Sequence, residues 1–201
     1  MSMNDGEKNF KVVILGEGCV GKTSLIQRYT QNNFSDKYMM TPSAGYSQKM
    51  VNMSGKRVCL TIWDTAGQDR FHALGPIYYR DSQGAIIVYD ITDGDSFIKA
   101  KTWMKEIKTQ LGSAIQMCLV GNKSDLERAR VVQPEEAESY AASVGALHYT
   151  TSAKLNKGVE ELFLDLTKRM FTMKPLGSDS KPTCVIQVIP ETTDKKTSPC
   201  C

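Results

Sequence analysis

The chain has 201 residues, 41% of them hydrophobic and 23% charged, and a formal net charge of +3. This length suits one domain with a tail, and the composition is neither that of a disordered chain nor that of a membrane-spanning one. The small net charge gives no indication of nucleic-acid binding. Met1–Lys8 is polar and lacks the apolar core of a signal peptide, so we expect the protein to stay in the reducing cytosol, without disulfides.

Strand-like and helical segments alternate along the chain, which predicts an α/β fold. A parallel sheet covered by helices on both faces has this pattern. The segments Tyr46–Met53 and Lys56–Trp63, joined at Ser54-Gly55, predict a hairpin, so we expect a mixed sheet. The other strand-like runs are Phe10–Leu15, Gly84–Tyr89, Ile115–Val120 and Ala146–Thr150.

Apolar stripes of helical period predict two helices packed on this sheet. We expect their Met and aromatic residues to belong to the core. The stripes are Ala100, Trp103, Met104, Ile107 and Leu111, then Val159, Leu162, Phe163, Leu166 and Met170.

Composition divides the chain into three parts. Residues 1–9 are predicted to be a flexible N-terminus and residues 10–172 a single domain. Residues 173–201 are rich in Pro, Ser, Thr and Lys and are predicted to be a flexible tail. Within this tail, Cys184–Ile189 is apolar enough to make a transient contact.

Gly16–Thr23 fits the phosphate-binding template G-x-x-x-x-G-K-[ST] and directly follows the apolar run Val12–Leu15. In such a loop, backbone N–H groups surround the β-phosphate, Lys22 reaches the β and γ oxygens, and the Thr23 hydroxyl can ligate Mg²⁺. A helix starting near Lys22 would add its positive dipole end. The alternative is a glycine turn with a surface lysine, which the preceding strand and following helix disfavour.

Two further motifs indicate which base is bound. The Asp125 carboxylate of Asn122-Lys123-Ser124-Asp125 can accept hydrogen bonds from N1–H and the N2 amine of guanine, a donor pair that adenine lacks. Thr151-Ser152-Ala153-Lys154, after the last strand, would offer backbone N–H to guanine O6. Either tetrapeptide alone could be an ordinary turn, but their order and their positions at strand ends favour guanine.

Asp64-Thr65-Ala66-Gly67-Gln68 follows the strand Val58–Trp63 and would complete the triphosphate end. Asp64 would hold Mg²⁺ through water, Gly67 would donate its backbone N–H to the γ-phosphate, and Gln68 would orient the attacking water. Taken alone, Gln68 would be a solvated polar residue and Asp64 a strand-ending turn residue.

With these motifs, the chain resembles the Ras-superfamily small GTPases, and among them the Rab branch, from Lys11 to about Phe171. Trp63 before Asp64 is Rab-like, as are Gln68–Phe71, Tyr78–Arg80 and the terminal Cys200-Cys201. Gly16–Thr23 and His72–Ser82 look closest to the early-endosomal Rab twenty-one group. The resemblance implies a three-layer P-loop GTPase fold: a six-stranded, mostly parallel sheet with one antiparallel strand and helices on both faces.

The resemblance also implies roles for particular residues. Phe34 would pack edge-on to guanine, and Thr41 would ligate Mg²⁺ in the GTP state. The predicted catalytic residues are Gln68, Lys22 and Thr41. The predicted metal ligands are Thr23, Thr41 and, through water, Asp64. The residues predicted to face effectors are Tyr46, Trp63 and Tyr78. The predicted nucleotide-binding residues are Gly16, Glu17, Gly18, Cys19, Val20, Gly21, Lys22, Thr23, Ser24, Phe34, Thr41, Gly67, Asn122, Lys123, Asp125, Ser152, Ala153 and Lys154.

The switch segments depart from the usual Rab pattern. Pro42-Ser43 stands where most Rabs have Ile-Gly, and Asp69 replaces the usual glutamate. Pro42 would favour an extended Thr41, which either preorganises the closed switch or hinders its closure. A GTP-binding module that does not cycle therefore stays open as an alternative, whereas Asp125 disfavours an ATPase or nucleoside kinase.

Cys200-Cys201 suggests lipid attachment, and the resemblance implies geranylgeranylation of both thiols, because two chains anchor stably where one binds marginally. It further implies a monomer that switches between GDP and GTP in vesicular, endocytic traffic, with slow intrinsic hydrolysis. Its implied partners are an activating protein, an exchange factor, a GDP-dissociation inhibitor, an escort protein and vesicle effectors. The implied location is the cytoplasmic face of endomembranes, early endosomes in particular, with a cytosolic pool.

Overall fold

The computed structural model describes residues 8–37, 41, 44–65, 75–112 and 115–173. Several predictions fall outside these residues: those on Pro42-Ser43, on Gly67–Phe71, and on the tail with Cys184–Ile189 and Cys200-Cys201.

A six-stranded sheet forms the centre of the described domain. Its strand order is β2-β3-β1-β4-β5-β6. Only the β2–β3 pair is antiparallel, and all other neighbours run parallel. The predicted mostly parallel sheet with one antiparallel strand is therefore confirmed. The strands are β1 (Lys8–Leu15), β2 (Gly45–Met53), β3 (Lys56–Asp64), β4 (Gly84–Asp90), β5 (Gln116–Asn122) and β6 (Leu147–Thr150).

Helices cover the sheet, and their ends carry recognisable signals. The Asp93 carboxylate accepts from the first backbone N–H groups of α3, and Pro134 opens α4, which ends before the left-handed Gly145. None of the helices among the described residues is long and apolar enough to cross a bilayer. The helices are α1 (Lys22–Gln31), α2 (Gly75–Tyr79), α3 (Gly94–Leu111), α4 (Pro134–Val144) and α5 (Val159–Thr172), with a 3₁₀ helix at Ser124–Ala129.

Successive residues of the central strands enter two separate cores, which makes the fold three-layered. Val12 and Ile14 of β1 pack with α1 and α5 on one face, while Val13 and Leu15 pack with α3 and α4 on the other. Because both faces are covered, every residue of β4 is buried, and the strand appears as an apolar run up to its last residue, Asp90. Both predicted helical stripes lie in these cores, with Trp103 and Leu111 partly exposed at the margin.

The predicted hairpin is confirmed, and it sets the geometry of one end of the sheet. Ser54 and Gly55 both have positive φ, 53° and 79°, as a two-residue type I′ turn requires. The register places Gly45 opposite Asp64. The start of β2 and the end of β3 therefore lie side by side.

Strand boundaries differ from the predictions at both the ends and the starts of strands. β4 and β5 run on to Asp90 and Asn122, beyond the apolar runs that predicted them. Polar residues at a strand end resemble turn residues in sequence, although here they belong to the ladder. β1 begins at Lys8, inside the segment that was predicted to be flexible.

A stacked aromatic pair joins α1 to α5. The rings of Tyr29 and Phe163 lie with centroids 3.9 Å apart and planes 8° from parallel, and Phe163 is fully buried.

Phe163→Ala should therefore lower the free energy of unfolding by about 3 to 5 kcal/mol, since it removes a fully buried ring and leaves a cavity. The measurement is urea unfolding of wild type and variant in the same buffer. Ile98→Ala is the control, because Ile98 is 60% exposed on α3, and its free energy of unfolding should change by less than about 0.5 kcal/mol. Equal losses in the two variants would contradict this account of the core.

Candidate functional site

The carboxyl ends of the parallel strands meet at one edge of the sheet, where polar groups surround a cavity of about 400 Å³. This edge is where open α/β sheets bind their ligands. Most of the predicted nucleotide-binding residues line the cavity. The lining is Gly18, Cys19, Gly21, Lys22, Thr23, Ser24, Gln27, Phe34–Lys37, Thr41, Thr65, Asn122, Lys123, Asp125, Leu126, Ala153 and Lys154.

The loop between β1 and α1 depends on two glycines. Gly16 has φ +141°, and a Cβ there would collide with the carbonyl oxygen of Val88. Gly21 has φ +95°, and a Cβ there would collide with the Asn122 side-chain amide. These positions therefore require glycine for both backbone conformation and space.

Lys22, at the start of α1, is 6% exposed and makes two hydrogen bonds within this loop. Its ammonium donates to the carbonyl oxygens of Gly16 and Glu17, at 2.9 and 2.7 Å. Burial lowers the pKa of Lys22 to about 8, against the raising effect of Asp64 and Glu17. An ammonium has three donors, so Lys22 keeps one for an anion in the cavity.

Three oxygen atoms from distant parts of the chain meet beside Lys22. The Thr23 hydroxyl donates to Asp64 Oδ2 at 2.6 Å and lies 2.8 Å from the Thr41 hydroxyl. Burial raises the pKa of Asp64, although the Thr23 hydrogen bond and the Lys22 charge act to lower it. The other carboxylate oxygen, Asp64 Oδ1, is buried without a hydrogen-bond partner among the described residues.

This cluster fits Mg²⁺, which prefers oxygen ligands in an octahedron and is held by one or two carboxylates. At metal–oxygen distances of about 2.05 Å, neighbouring octahedral ligands lie about 2.9 Å apart. The 2.8 Å between the Thr23 and Thr41 hydroxyls matches that spacing. Among the described residues, no group of three or more His, Cys, Asp or Glu side chains could hold a metal ion.

The Asn122 side chain joins the loop at the phosphate end of the cavity to the loop that follows β6 at its opposite end. Its side-chain N–H donates to the Val20 carbonyl oxygen at 2.9 Å. Its side-chain oxygen accepts from the Thr151 hydroxyl and from the Ala153 backbone N–H, at 3.2 and 3.3 Å. Asn122 is 2% exposed, so all three bonds are sheltered from water.

Lys123 and Asp125 follow Asn122 in the chain, and each is held by a partner. Asp125 Oδ1 accepts from the Ser152 hydroxyl at 2.5 Å. The Lys123 ammonium lies 2.6 Å from Asp90 Oδ2. Burial alone would raise the pKa of Asp90, but hydrogen bonds from Lys123 and Thr92 bring it below its usual value.

Some predicted site residues support the cavity from behind instead of lining it. Glu17 accepts from the Gly18 backbone N–H at 2.9 Å and forms an ion pair with Lys99. Four other predicted residues also lie behind the lining and make the contacts given above: Gly16, Val20, Asp64 and Ser152. Gly67 and Gln68 lie outside the described residues.

Sequence reasoning missed several residues at this site, including the lining residues Gln27, Ser35, Lys37, Thr65 and Leu126. Asp90 ends β4 and could have been found from the rule that strand carboxyl ends carry site residues. Arg28 and Asp36 contact the loop at 152–154 across more than a hundred residues of chain, and no local pattern marks them.

The three predicted effector-facing aromatic residues differ in exposure. Tyr46 is 62% exposed, and its ring centroid lies 5.6 Å from that of Trp63. Trp63 and Tyr78 are partly buried against the core beneath α3. The Lys11 ammonium lies 5.0 Å from the Trp63 ring centroid.

Comparison with known proteins assigns this site to a family. The profile described as "Ras family" matches residues 11–172, which is most of the chain. The chain belongs to the Ras family. Proteins of this family bind GTP and GDP and hydrolyse GTP, so this Ras-family protein is a GTP phosphohydrolase.

Its relatives place it among the Rab GTPases. It is 70% identical to "Ras-related protein Rab-21" of Dictyostelium discoideum over 168 residues, covering 84% of this chain and 79% of the relative. The Rab-21 proteins of Homo sapiens (64% identity; 86% of this chain, 77% of theirs) and Geodia cydonium (62%; 82% and 72%) are also similar. The predicted resemblance to Rab twenty-one is thus confirmed, and this Ras-family chain is a small GTPase of vesicle traffic.

Gly21→Ala in this GTPase should weaken GDP binding, because the new Cβ displaces the Asn122 amide. Gly145→Ala is the matched control: its φ is +76° and nothing lies within 4 Å of its Cβ position. Both variants should lose about 1 to 2 kcal/mol of stability from left-handed strain, but only Gly21→Ala should also lose affinity for fluorescent GDP. Equal affinities would show that Asn122 accommodates the extra atom.

Proposed function

We propose that this Rab GTPase is a Mg²⁺-dependent switch that cycles between GDP and GTP on endocytic membranes. The supporting observation is that Lys22, Thr23, Thr41 and Asp125 line one cavity. Asp64, behind the lining, accepts from the Thr23 hydroxyl. These are the groups needed at the two ends of a guanine nucleotide.

The base end is proposed to recognise guanine through Asp125 and the loop at 152–154. The Ser152 hydrogen bond fixes the Asp125 carboxylate, which can then accept from N1–H and the N2 amine. The backbone N–H of Lys154, in the same loop, would face O6, and Phe34 would cover the base edge. A base without the donor pair leaves the carboxylate unpaired, which disfavours adenine.

The phosphate end is proposed to bind through Lys22 and the loop Gly16–Thr23. Lys22 would direct its remaining N–H to the β and γ oxygens. Thr23 and Thr41 would hold Mg²⁺ directly and Asp64 through water. When bound, the ion would neutralise charge on the phosphates.

The switch is proposed to respond to the γ-phosphate. Thr41 and Gly67 would hold the segments 34–46 and 67–79 ordered in the GTP state, and loss of that phosphate would release both. Tyr46, Trp63 and Tyr78 lie within or beside these segments. Their exposed aromatic surface would thus be presented to vesicle effectors in only one state.

Hydrolysis without a partner is proposed to be slow. Gln68 would orient the attacking water, but no arginine is present among the described residues that line the cavity. An arginine from an activating protein would supply that charge in trans. An exchange factor, in turn, would reopen the site.

Membrane attachment is proposed to use Cys200 and Cys201. Two prenyl chains would anchor the protein stably on the cytoplasmic face of early endosomes. An escort protein would present the thiols for modification, and a GDP-dissociation inhibitor would maintain a cytosolic pool of the GDP form.

Gln68→Leu should slow single-turnover conversion of Mg²⁺·GTP to GDP by at least about tenfold, since loss of one positioned catalytic group typically costs that much or more. Gln110→Leu, an exposed glutamine on α3, is the matched control and should match wild type. Conversion at the wild-type rate in Gln68→Leu would overturn the proposed role. Tight GTP binding with no conversion even in wild type would favour the module that does not cycle unaided.

Asp125→Asn should move base preference from guanine to xanthine, because an amide N–H can donate to the C2 carbonyl that replaces the guanine amine. Competition between GDP and xanthosine diphosphate for the protein measures this preference, with an expected change of roughly a hundredfold in their ratio. Asp95→Asn, on the first turn of α3, controls for loss of one negative charge. An unaltered ratio would remove Asp125 from base recognition.

Replacing both terminal cysteines, Cys200→Ser with Cys201→Ser, should leave GDP affinity unchanged and shift the protein from membranes to the soluble fraction of cells. Fractionation and a GDP-binding assay on the same lysates test both parts. A double variant that stays on membranes would disprove the lipid anchor.

A further inference from the structure

Arg28 of α1 bridges the two chain segments that flank the base end of the cavity. Its Nε donates to the Ala153 carbonyl oxygen at 2.8 Å, and its Nη2 donates to that of Lys154 at 3.3 Å. Its Nη1 donates to the backbone and side-chain oxygens of Asn32, at 3.0 and 3.2 Å. One half-buried guanidinium therefore joins the end of α1 to the loop at 152–154.

On the α1 side, these bonds fix the segment that carries Phe34. Asn32 ends the helix in a left-handed conformation, φ 51°, and its backbone N–H donates to the Arg28 carbonyl oxygen. Arg28 thus holds Asn32 through both backbone and side chain. Phe34 follows two residues later, with its ring centroid 6.0 Å from the guanidinium carbon of Arg28.

On the other side, the same guanidinium fixes residues that contact the recognition motif. Ala153 is held at its carbonyl by Arg28 and at its N–H by Asn122. The neighbouring Ser152 holds Asp125. Displacement of this loop would therefore disturb the carboxylate as well.

We propose that Arg28 is a positioning residue that slows the release of guanine nucleotide by holding the Phe34 segment against the loop at 152–154. The inference rests on the proposed function and adds what controls the lifetime of the bound state. A leaving base has to pass between these two segments, so a bridge between them acts mainly on the dissociation rate.

Arginine suits this role because its planar fork satisfies separate acceptors at once, whereas a lysine ammonium acts as a single point charge. A second bridge is weaker. The Lys154 ammonium and Asp36 Oδ1 lie 3.1 Å apart, but their side chains are 51% and 76% exposed. Water and salt screen such a pair.

The test is release of fluorescent GDP into excess unlabelled GDP, with Mg²⁺ fixed at a millimolar level. Arg28→Met should release GDP about tenfold to hundredfold faster, the factor expected when one or two charge-assisted hydrogen bonds are lost. Arg28→Lys should fall between Arg28→Met and wild type, and it keeps the test usable if the methionine variant fails to fold. Arg57→Met, at an exposed arginine of β3, is the matched control and should match wild type.

A double-mutant cycle separates positioning from general loosening of the fold. Arg28→Met should accelerate release much less in a Phe34→Leu background than in wild type, because it acts through that ring. Urea unfolding in saturating GDP reports the fold independently. Three results would each overturn the proposal. They are GDP release from Arg28→Met at the wild-type rate, GDP release from Arg28→Lys at the wild-type rate, and additive effects of Arg28→Met and Phe34→Leu on the release rate. A wild-type protein that binds no GDP would instead overturn the proposed function, and this proposal with it.

Discussion

The buried amide of Asn122 is the contact on which the rest of the site depends. It bonds to the phosphate loop at Val20 and to the base-end loop at Thr151 and Ala153, out of reach of water. Because these bonds are sheltered, neither loop can shift without leaving a buried polar group unpaired. Gly21 is required for the same reason, since a side chain there would occupy the space of the amide. The spacing between the two ends of the cavity is thereby fixed by one side chain.

Much of the fold could be predicted from sequence, because burial on two faces leaves an unambiguous pattern. The apolar run of β4 indicates a strand buried on both faces, and the apolar stripe of α5 indicates a helix packed on the sheet. The Ser54-Gly55 turn predicts the antiparallel pairing of β2 and β3. The ends of the strands were harder to predict from the sequence. Asp90 and Asn122 belong to the ladder but are polar, since Asp90 pairs with Lys123 and Asn122 lines the cavity. A polar residue at a strand end resembles a turn residue in sequence.

In the same way, some residues of the site could be predicted from local sequence motifs, whereas others depend on contacts between residues far apart in the chain. The phosphate loop was predictable because its backbone conformation requires glycines at fixed spacing. By contrast, the Arg28 contacts join residues 125 and 126 positions apart, and any surface arginine on a helix would look alike in sequence. The meeting of Thr23, Thr41 and Asp64 lies between these cases: the motifs suggested each residue, but only the packed chain shows their oxygens within hydrogen-bond distance.

The hairpin of β2 and β3 has one end beside the cavity, where a change in the chain would disturb the site. Its other end lies far from the cavity, where a change would be tolerated. Gly45 and Asp64 are register partners at the cavity end, while Ser54-Gly55 turns at the other, nine residues along each strand. At about 3.4 Å per residue, the turn lies roughly 30 Å from the oxygen cluster. A Cβ on Gly55 would meet no atom within 4 Å. A fluorophore or a short inserted peptide could therefore be carried at this turn as a reporter, leaving the chemistry at the opposite end undisturbed.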